Sequence, residues 1–147
     1  MPSTSPTAGG RVIGAHTPAP YIVNAASSGS ITVSGTTATD VPSATVTVTT
    51  AQTNAVVQVI GVFDMLTAST GATAVGTCVV DGSTQTGQAI HTLTTLNGRE
   101  TVAQVWTVAL SAAGSHTIKL QVALSSASGS VQVGSTHTTI TATVYDW

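Results

Sequence analysis

Charge is what this sequence has least of. Three basic and five acidic side chains make up 5% of 147 residues, where an ordinary soluble domain carries about 25%. Three basic residues cannot neutralise a run of phosphates, which excludes a nucleic-acid-binding surface. A net charge of −2 gives no steering field for a charged partner. Cys78 is the single cysteine, so an intramolecular disulfide framework and a cysteine-based zinc site are both excluded. The aromatics are Tyr21, Phe63, Trp106, Tyr145 and Trp147, too few for a platform on which bases or sugars stack. No long apolar run occurs: the most apolar stretch, Ala55 to Phe63, is interrupted by Gln58 and closed by Asp64, far short of the roughly 20 residues of a spanning helix. The opening Met1-Pro2-Ser3-Thr4-Ser5-Pro6 lacks a basic region followed by an apolar core, so synthesis in the cytoplasm without an export signal is expected.

What is present is threonine, serine, valine and alanine. Thr and Ser supply 45 residues and Val and Ala 40 more, with 41% of the chain hydrophobic. Disordered chains are poor in aliphatic residues and rich in charge, so this one is expected to fold, and its length suits one domain with a sizeable core. A surface of hydroxyls and small apolar groups has little electrostatic protection against association. The expectation is that much of it is covered, by copies of the chain or by another protein.

The first 30 residues read as an extended Pro/Gly/Ser-rich arm. Four of the five prolines, Pro2, Pro6, Pro18 and Pro20, fall in the first 20 residues together with Gly9, Gly10 and Gly14. Proline fixes φ, removes a donor and pushes its predecessor toward extended backbone. Such an arm suits docking on a neighbour, with Pro18, Pro20 and Tyr21 as candidate partner-binding residues. Trp147 is the fourth, a terminal indole able to cap the domain or plug into a neighbour.

From 31 to 147 the pattern is β. Ala44-Thr45-Val46-Thr47-Val48-Thr49 alternates with a period of two, the mark of a half-buried strand. Val56 to Leu66 is apolar on both faces, which suits a strand covered on both sides. Asp81-Gly82 and Asn97-Gly98 are type I′ hairpin signals. Thr101 to Leu110 places Trp106 on an apolar face, a core position, and His116 to Leu124 alternates again. Val131 to Tyr145 reads as one long strand or two, broken near Gly134-Ser135. The fold class expected is all-β: about eight antiparallel strands in a jelly-roll sandwich, lacking the Cys…Trp…Cys core of immunoglobulin domains.

Catalytic signatures are missing. No Gly-x-Ser-x-Gly elbow, phosphate loop or Asn-x-Ser/Thr sequon occurs. Among the carboxylates, Asp81, Glu100 and Asp146 sit in or beside turns or the C-terminus, where solvated side chains are expected. The other two are Asp40 and Asp64. His16, His91, His116 and His137 lack ligand spacing. His91 and His116 remain candidates to meet across strands, and a threefold axis would gather three copies of one histidine. Cys78 in a strand reads as a small buried hydrophobe. No enzyme activity, cofactor or metal is expected.

Three segments carry a resemblance. Gly98-Arg99-Glu100-Thr101-Val102 with Trp106 to Leu110, then Ala113-Gly114-Ser115-His116-Thr117-Ile118-Lys119-Leu120-Gln121-Val122, then Thr139-Ile140-Thr141-Ala142-Thr143-Val144 resemble the β-rich domains of tailed-bacteriophage virion structural proteins. Those jelly rolls are themselves similar to C1q and tumour-necrosis-factor type trimers. The likeness runs over roughly residues 44 to 145. It implies a virion structural protein, commonly a homo-trimer, with no catalytic residues. Fibre proteins carry long stalks before such a domain, whereas a short arm before a compact head implies a capsid decoration (cement) protein. Its partner would be the major capsid protein and its place the capsid surface, with no nucleic acid and no membrane. A receptor-binding head of a tail fibre or baseplate, using the loops around Asp81-Gly82 and Ser125 to Ser130, is the alternative.

Overall fold

Thr and Val dominate the chain, and their branched Cβ atoms are stiff at χ1 and fit a pleated surface. The computed structural model describes residues 19–134 and 137–146, and these form no helix. Eleven strands are present: β1 (Tyr21–Ala26), β2 (Ser30–Val33), β3 (Thr39–Thr50), β4 (Ala55–Ser69), β5 (Thr73–Val80), β6 (Ser83–Thr84), β7 (Ala89–Thr92), β8 (Arg99–Leu110), β9 (Gly114–Leu124), β10 (Ser130–Gly134) and β11 (Thr139–Tyr145). Every pairing is antiparallel.

They make two packed sheets. The first is built around β4, fifteen residues long. One side of β4 takes β11 and then β10, which carry β1 and β2 outside them, while its other side takes β8 along twelve consecutive pairs. The second sheet runs β3-β9-β5, with the short β6 and β7 both on the far side of β5. The expected all-β antiparallel sandwich is therefore what the chain forms. It has more strands than eight because β6 holds two residues, β10 and β11 are separate strands, and β1 lies further upstream than expected.

The boundary expected at 30/31 moves with it. Tyr21 to Ala26 pair residue for residue with Val144 to Thr139, so residues 21–30 belong to the sandwich rather than to an arm. Their alternation (Ile22, Asn24 and Ala26 outward, Val23 and Ala25 against the core) is too short and too alanine-rich to stand out beside the prolines. Pro18 and Trp147 lie outside the described residues.

The two turn signals part company. Asp81 (φ 48°) and Gly82 (φ 82°) are both left-handed and join β5 to β6 as a two-residue hairpin, as expected. Asn97 is left-handed (φ 61°), but β7 and β8 lie in different sheets, so residues 93–98 form a crossover. Leu93 is buried, and its N–H donates to Ala72 O at 3.1 Å, anchoring that crossover to the core. Local turn chemistry cannot reveal which sheet the next strand joins.

Between the sheets lies one core, mainly valine, with Phe63, Met65, Leu93, Ile118, Leu120 and Ile140 as its largest fully buried members. Trp106 is buried as expected, and its indole Nε1–H donates to Gly87 O at 3.0 Å. Cys78 is buried, and that burial pushes its thiol up to about 12, so it packs as a hydrophobe.

Candidate interaction surface

Alternation decides which side chains the first sheet turns outward. Each outward row crosses four strands: Ile22, Thr143, Gln58 and Thr107 form one row, Asn24, Thr141, Ile60 and Val105 the next, and Ala26, Thr139, Val62 and Ala103 a third. Tyr145, Val56 and Ala109 extend the surface at one end. None of these residues is charged. Three large aliphatic side chains stand open on it: Ile22 (64% exposed), Val105 (48%) and Ile60 (37%). At the other end Arg99 lies over Asp64, with Nε 2.7 Å from Oδ1 and Nη2 bonded to Oδ2. Asp64 is buried beneath it, and the carboxylate beside Arg99 raises the guanidinium pKa further above its ordinary value. The outer face of the second sheet differs. Thr45, Thr47, Thr49 and Thr117 coat it, and Asp40 takes a charged bond from Lys119 Nζ (2.8 Å) and another from Gln121 Nε2 (2.6 Å).

The sequence of β4 is at odds with its surroundings. It is apolar on both faces, as expected of a strand covered twice. In the described chain only the inner face is covered, and the outer face carries Val56, Ile60 and Val62 in the open or half-open.

The polar side chains proposed as chemistry are engaged within the fold. His91 Nδ1 lies 2.9 Å from Glu100 Oε2 and its Nε2 lies 3.0 Å from Thr67 Oγ1. His116 Nδ1 lies 2.6 Å from Asp81 Oδ2, and its Nε2 donates to Ala112 O at 3.1 Å. Neither ring presents a free nitrogen to a metal or substrate. Nor do the two meet: His91 stands opposite Ala74 of β5, while Ile118, two residues beyond His116, stands opposite Val80. Six residues of strand separate those rungs, roughly 20 Å. His137 is exposed in a turn, and His16 lies outside the described residues. Asp146 accepts from the N–H groups of Ala51 (2.6 Å) and Gln52 (3.0 Å), capping the turn between β3 and β4. Among the described residues no group of three or more His, Cys, Asp or Glu is placed to hold a metal ion.

Of the candidate partner-binding residues inside the described range, Pro20 is exposed just before β1. Tyr21 is a clasp: its hydroxyl donates to Thr49 O (2.6 Å) and accepts from Thr49 N–H (2.9 Å), tying the edge of one sheet to the edge of the other. The outward rows cannot be found strand by strand in the sequence, because strand adjacency is what assembles them. The signal available in advance was the doubly apolar β4.

Two exposed carboxylates contribute to the acid sensitivity of the fold. Hydrogen bonds from Lys119 and Gln121 hold Asp40 below its ordinary 3.8. Burial pushes Asp81 upward, but bonds from His116 and the Thr117 N–H outweigh it and leave the carboxyl lowered. A lowered folded-state pKa gives stability that is present above the unfolded value and lost as pH falls through the folded one. The melting temperature should therefore drop as pH falls below 3.8, and Asp40→Asn combined with Asp81→Asn should make that drop shallower in melts recorded between about pH 2 and 5.

No protein-family model matches this chain, and no curated protein matches it. Solved structures do. A chain in the structure of infectious bursal disease virus Gt strain is similar at TM-score 0.57 and 14% identity, over 88% of this chain and 34% of that one. Murine APRIL is similar at TM-score 0.52 and 11% identity, over 86% of this chain and 99% of that one. Eiger TNF from S. frugiperda is similar at 0.51 and 12%, over 87% and 94%. Dimeric latent PorU from Porphyromonas gingivalis matches at 0.54 and 9% identity, and this chain spans only 13% of its length. At such identities the likeness is one of fold: an all-β jelly-roll sandwich of the kind seen in tumour-necrosis-factor proteins.

Proposed function

We propose that this chain is a structural protein of a tailed-bacteriophage virion: a decoration protein that binds the outside of the capsid as a homo-trimer and stabilises the shell. The uncharged outer face of the first sheet is the surface its copies share. The segment before Tyr21 docks on the major capsid protein, and no catalytic step is involved. One observation carries this reading: β4 has the composition of a strand buried on both faces, yet one of its faces is open in the single chain. Packing three such faces around an axis removes Ile22, Ile60 and Val105 from water at about 25 cal/mol per Å² of apolar surface. No like charges are brought together in doing so. The similarity to a chain in a virus structure and to tumour-necrosis-factor proteins supports a fold suited to this role.

The test is made on particles. Shells assembled without the chain should lose their contents at lower temperature and under milder osmotic shock than native ones, and adding the purified chain back should restore resistance. Equal resistance in both would overturn cementing. Immunogold labelling over the shell fits the proposal, whereas labelling confined to the tail tip would assign the chain to receptor binding instead.

A further inference from the structure

A sheet edge is a row of unpaired N–H and C=O groups that invites another strand, and folded proteins blunt such edges. This chain blunts most of its own. β2, β6 and β7 are four, two and four residues long. β1 has six residues and is clasped by Tyr21. β3 is twelve residues long but carries Asp40, Pro42 and a register shift between Asp40 and Thr45. Among the described residues β8 alone keeps a long, unbroken edge with no strand on it. It has twelve residues, an unbroken register against β4, no proline, and no charge from Thr101 to Leu110. Among the described residues no strand lies along its other side.

The orientation of that free side follows from the ladder. Thr67 N–H donates to Gly98 O at 2.8 Å, which commits the even-numbered residues of β8 to β4. The N–H and C=O groups of Thr101, Ala103, Val105, Thr107 and Ala109 therefore face outward. Gln104 Nε2, 2.9 Å from Val105 O, fits this parity, since it reaches a carbonyl that β4 does not use.

We infer that the free edge of β8 pairs antiparallel with β8 of a second copy, about a twofold axis at Val105, so that the first sheet runs on from one copy into the next. An occupant pairing along this edge must be free of proline at its donor positions, and the uncharged row that it would extend favours an uncharged one. In this chain β8 meets that description and also has an edge to offer, whereas the segment before Tyr21 carries Arg11 and its prolines. About the axis Val105 faces its own copy, Ala103 faces Thr107 and Thr101 faces Ala109, which gives about ten main-chain hydrogen bonds once the Gln104 amide yields the Val105 carbonyl to the second copy. Glu100 falls opposite Leu110 and Arg99 beyond it, so no like charges meet. The exposed Ile60–Val105 row continues into the same row of the second copy. The inference needs only that copies meet, and it adds a twofold contact to the threefold one proposed above.

Cysteine cross-linking in the full chain reads the register directly, because the native Cys78 is buried. Under mild oxidation Val105→Cys should form disulfide-linked pairs at least ten times faster than Thr107→Cys, whose twofold neighbour is Ala103. Ala103→Pro removes a donor on the free side, and it should halve the assembly mass in light scattering. Thr107→Pro serves if that variant misfolds. Val105 lies on the threefold face as well, so its cross-linking should survive Ile60→Lys, and a link lost with Ile60→Lys would assign it to the threefold contact and overturn the edge pairing. The edge pairing is overturned if both cysteines cross-link equally, if the proline variants fold and keep the full mass, or if Val105→Cys links only after residues 1–18 are deleted. The last result would give the edge to the N-terminal segment.

Discussion

Phe63→Ala is expected to destabilise the fold by about 3–5 kcal/mol, and Gly76→Ala by about 1–3 kcal/mol, for opposite reasons at one place. Phe63 is the largest fully buried side chain among the described residues. Its ring lies over Gly76 of the facing sheet, where an added Cβ would stand 2.8 Å from Cε1 and Cζ. On its own strand Gly61 makes room beside it, and a Cβ there would come within 2.9 Å of Leu120 Cδ2 and Trp106 Cζ3. Glycine inside a strand weakens it and often marks a close approach. These two glycines open the slot that a valine-built core needs to take one aromatic ring. The large-to-small change empties the slot, and the small-to-large change closes it on the ring. Because the two groups touch, their effects should not add. Phe63→Leu in the Gly76→Ala background should recover part of the loss, measured by urea unfolding of the four proteins of the cycle. Independent, additive effects would show that the ring does not depend on the glycine for its place.

That slot also shows what could be read in advance. The period of two in Thr45 to Thr49, His116 to Leu124 and Thr101 to Leu110 reports a local constraint, one face in and one face out, and the strands are where it puts them. Asp81-Gly82 was legible for the same reason, since two left-handed residues make a hairpin wherever they stand. Asn97-Gly98 was not. Its path is set by Leu93 seated in the core and by which sheet β8 joins, and both are long-range facts. β1 hid behind prolines because its partner, β11, lies about as far away as the chain allows. The interaction surface was half legible. The excess of apolar residues on β4 could be seen, but not that Ile22, Thr143, Gln58 and Thr107 would share a row. His91 and His116, linked only by residue type, were placed at separate rungs by the pairing of β5 with β7 on one side and β9 on the other.

Ile60→Lys should convert the assembly to smaller species while leaving each copy folded. Ile60 is 37% exposed in the middle of the first sheet's outer face, flanked by Thr141 and Val105. A lysine stem can lie along that face and lift its ammonium into water, so the single chain tolerates the change. In a threefold contact three ammonium groups would converge in a region with no carboxylate to meet them, since Asp64 is already engaged by Arg99. Burying an unpaired charge there should cost about 3 kcal/mol per copy, roughly a hundredfold in dissociation constant. Capsid binding should weaken by a larger factor. Three linked docking segments gain avidity of about 10²–10⁴ over one, and a chain outside the trimer forfeits much of it. Thr47→Lys on the outer face of the second sheet, which already carries Lys119 and Asp40, is the control and should change neither mass nor binding. Light scattering gives the mass, circular dichroism the fold, and sedimentation with empty shells the binding. A trimer that survives Ile60→Lys would move the contact to another face, and a variant that has lost the trimer yet binds shells at full strength would remove the threefold contact from the cementing role.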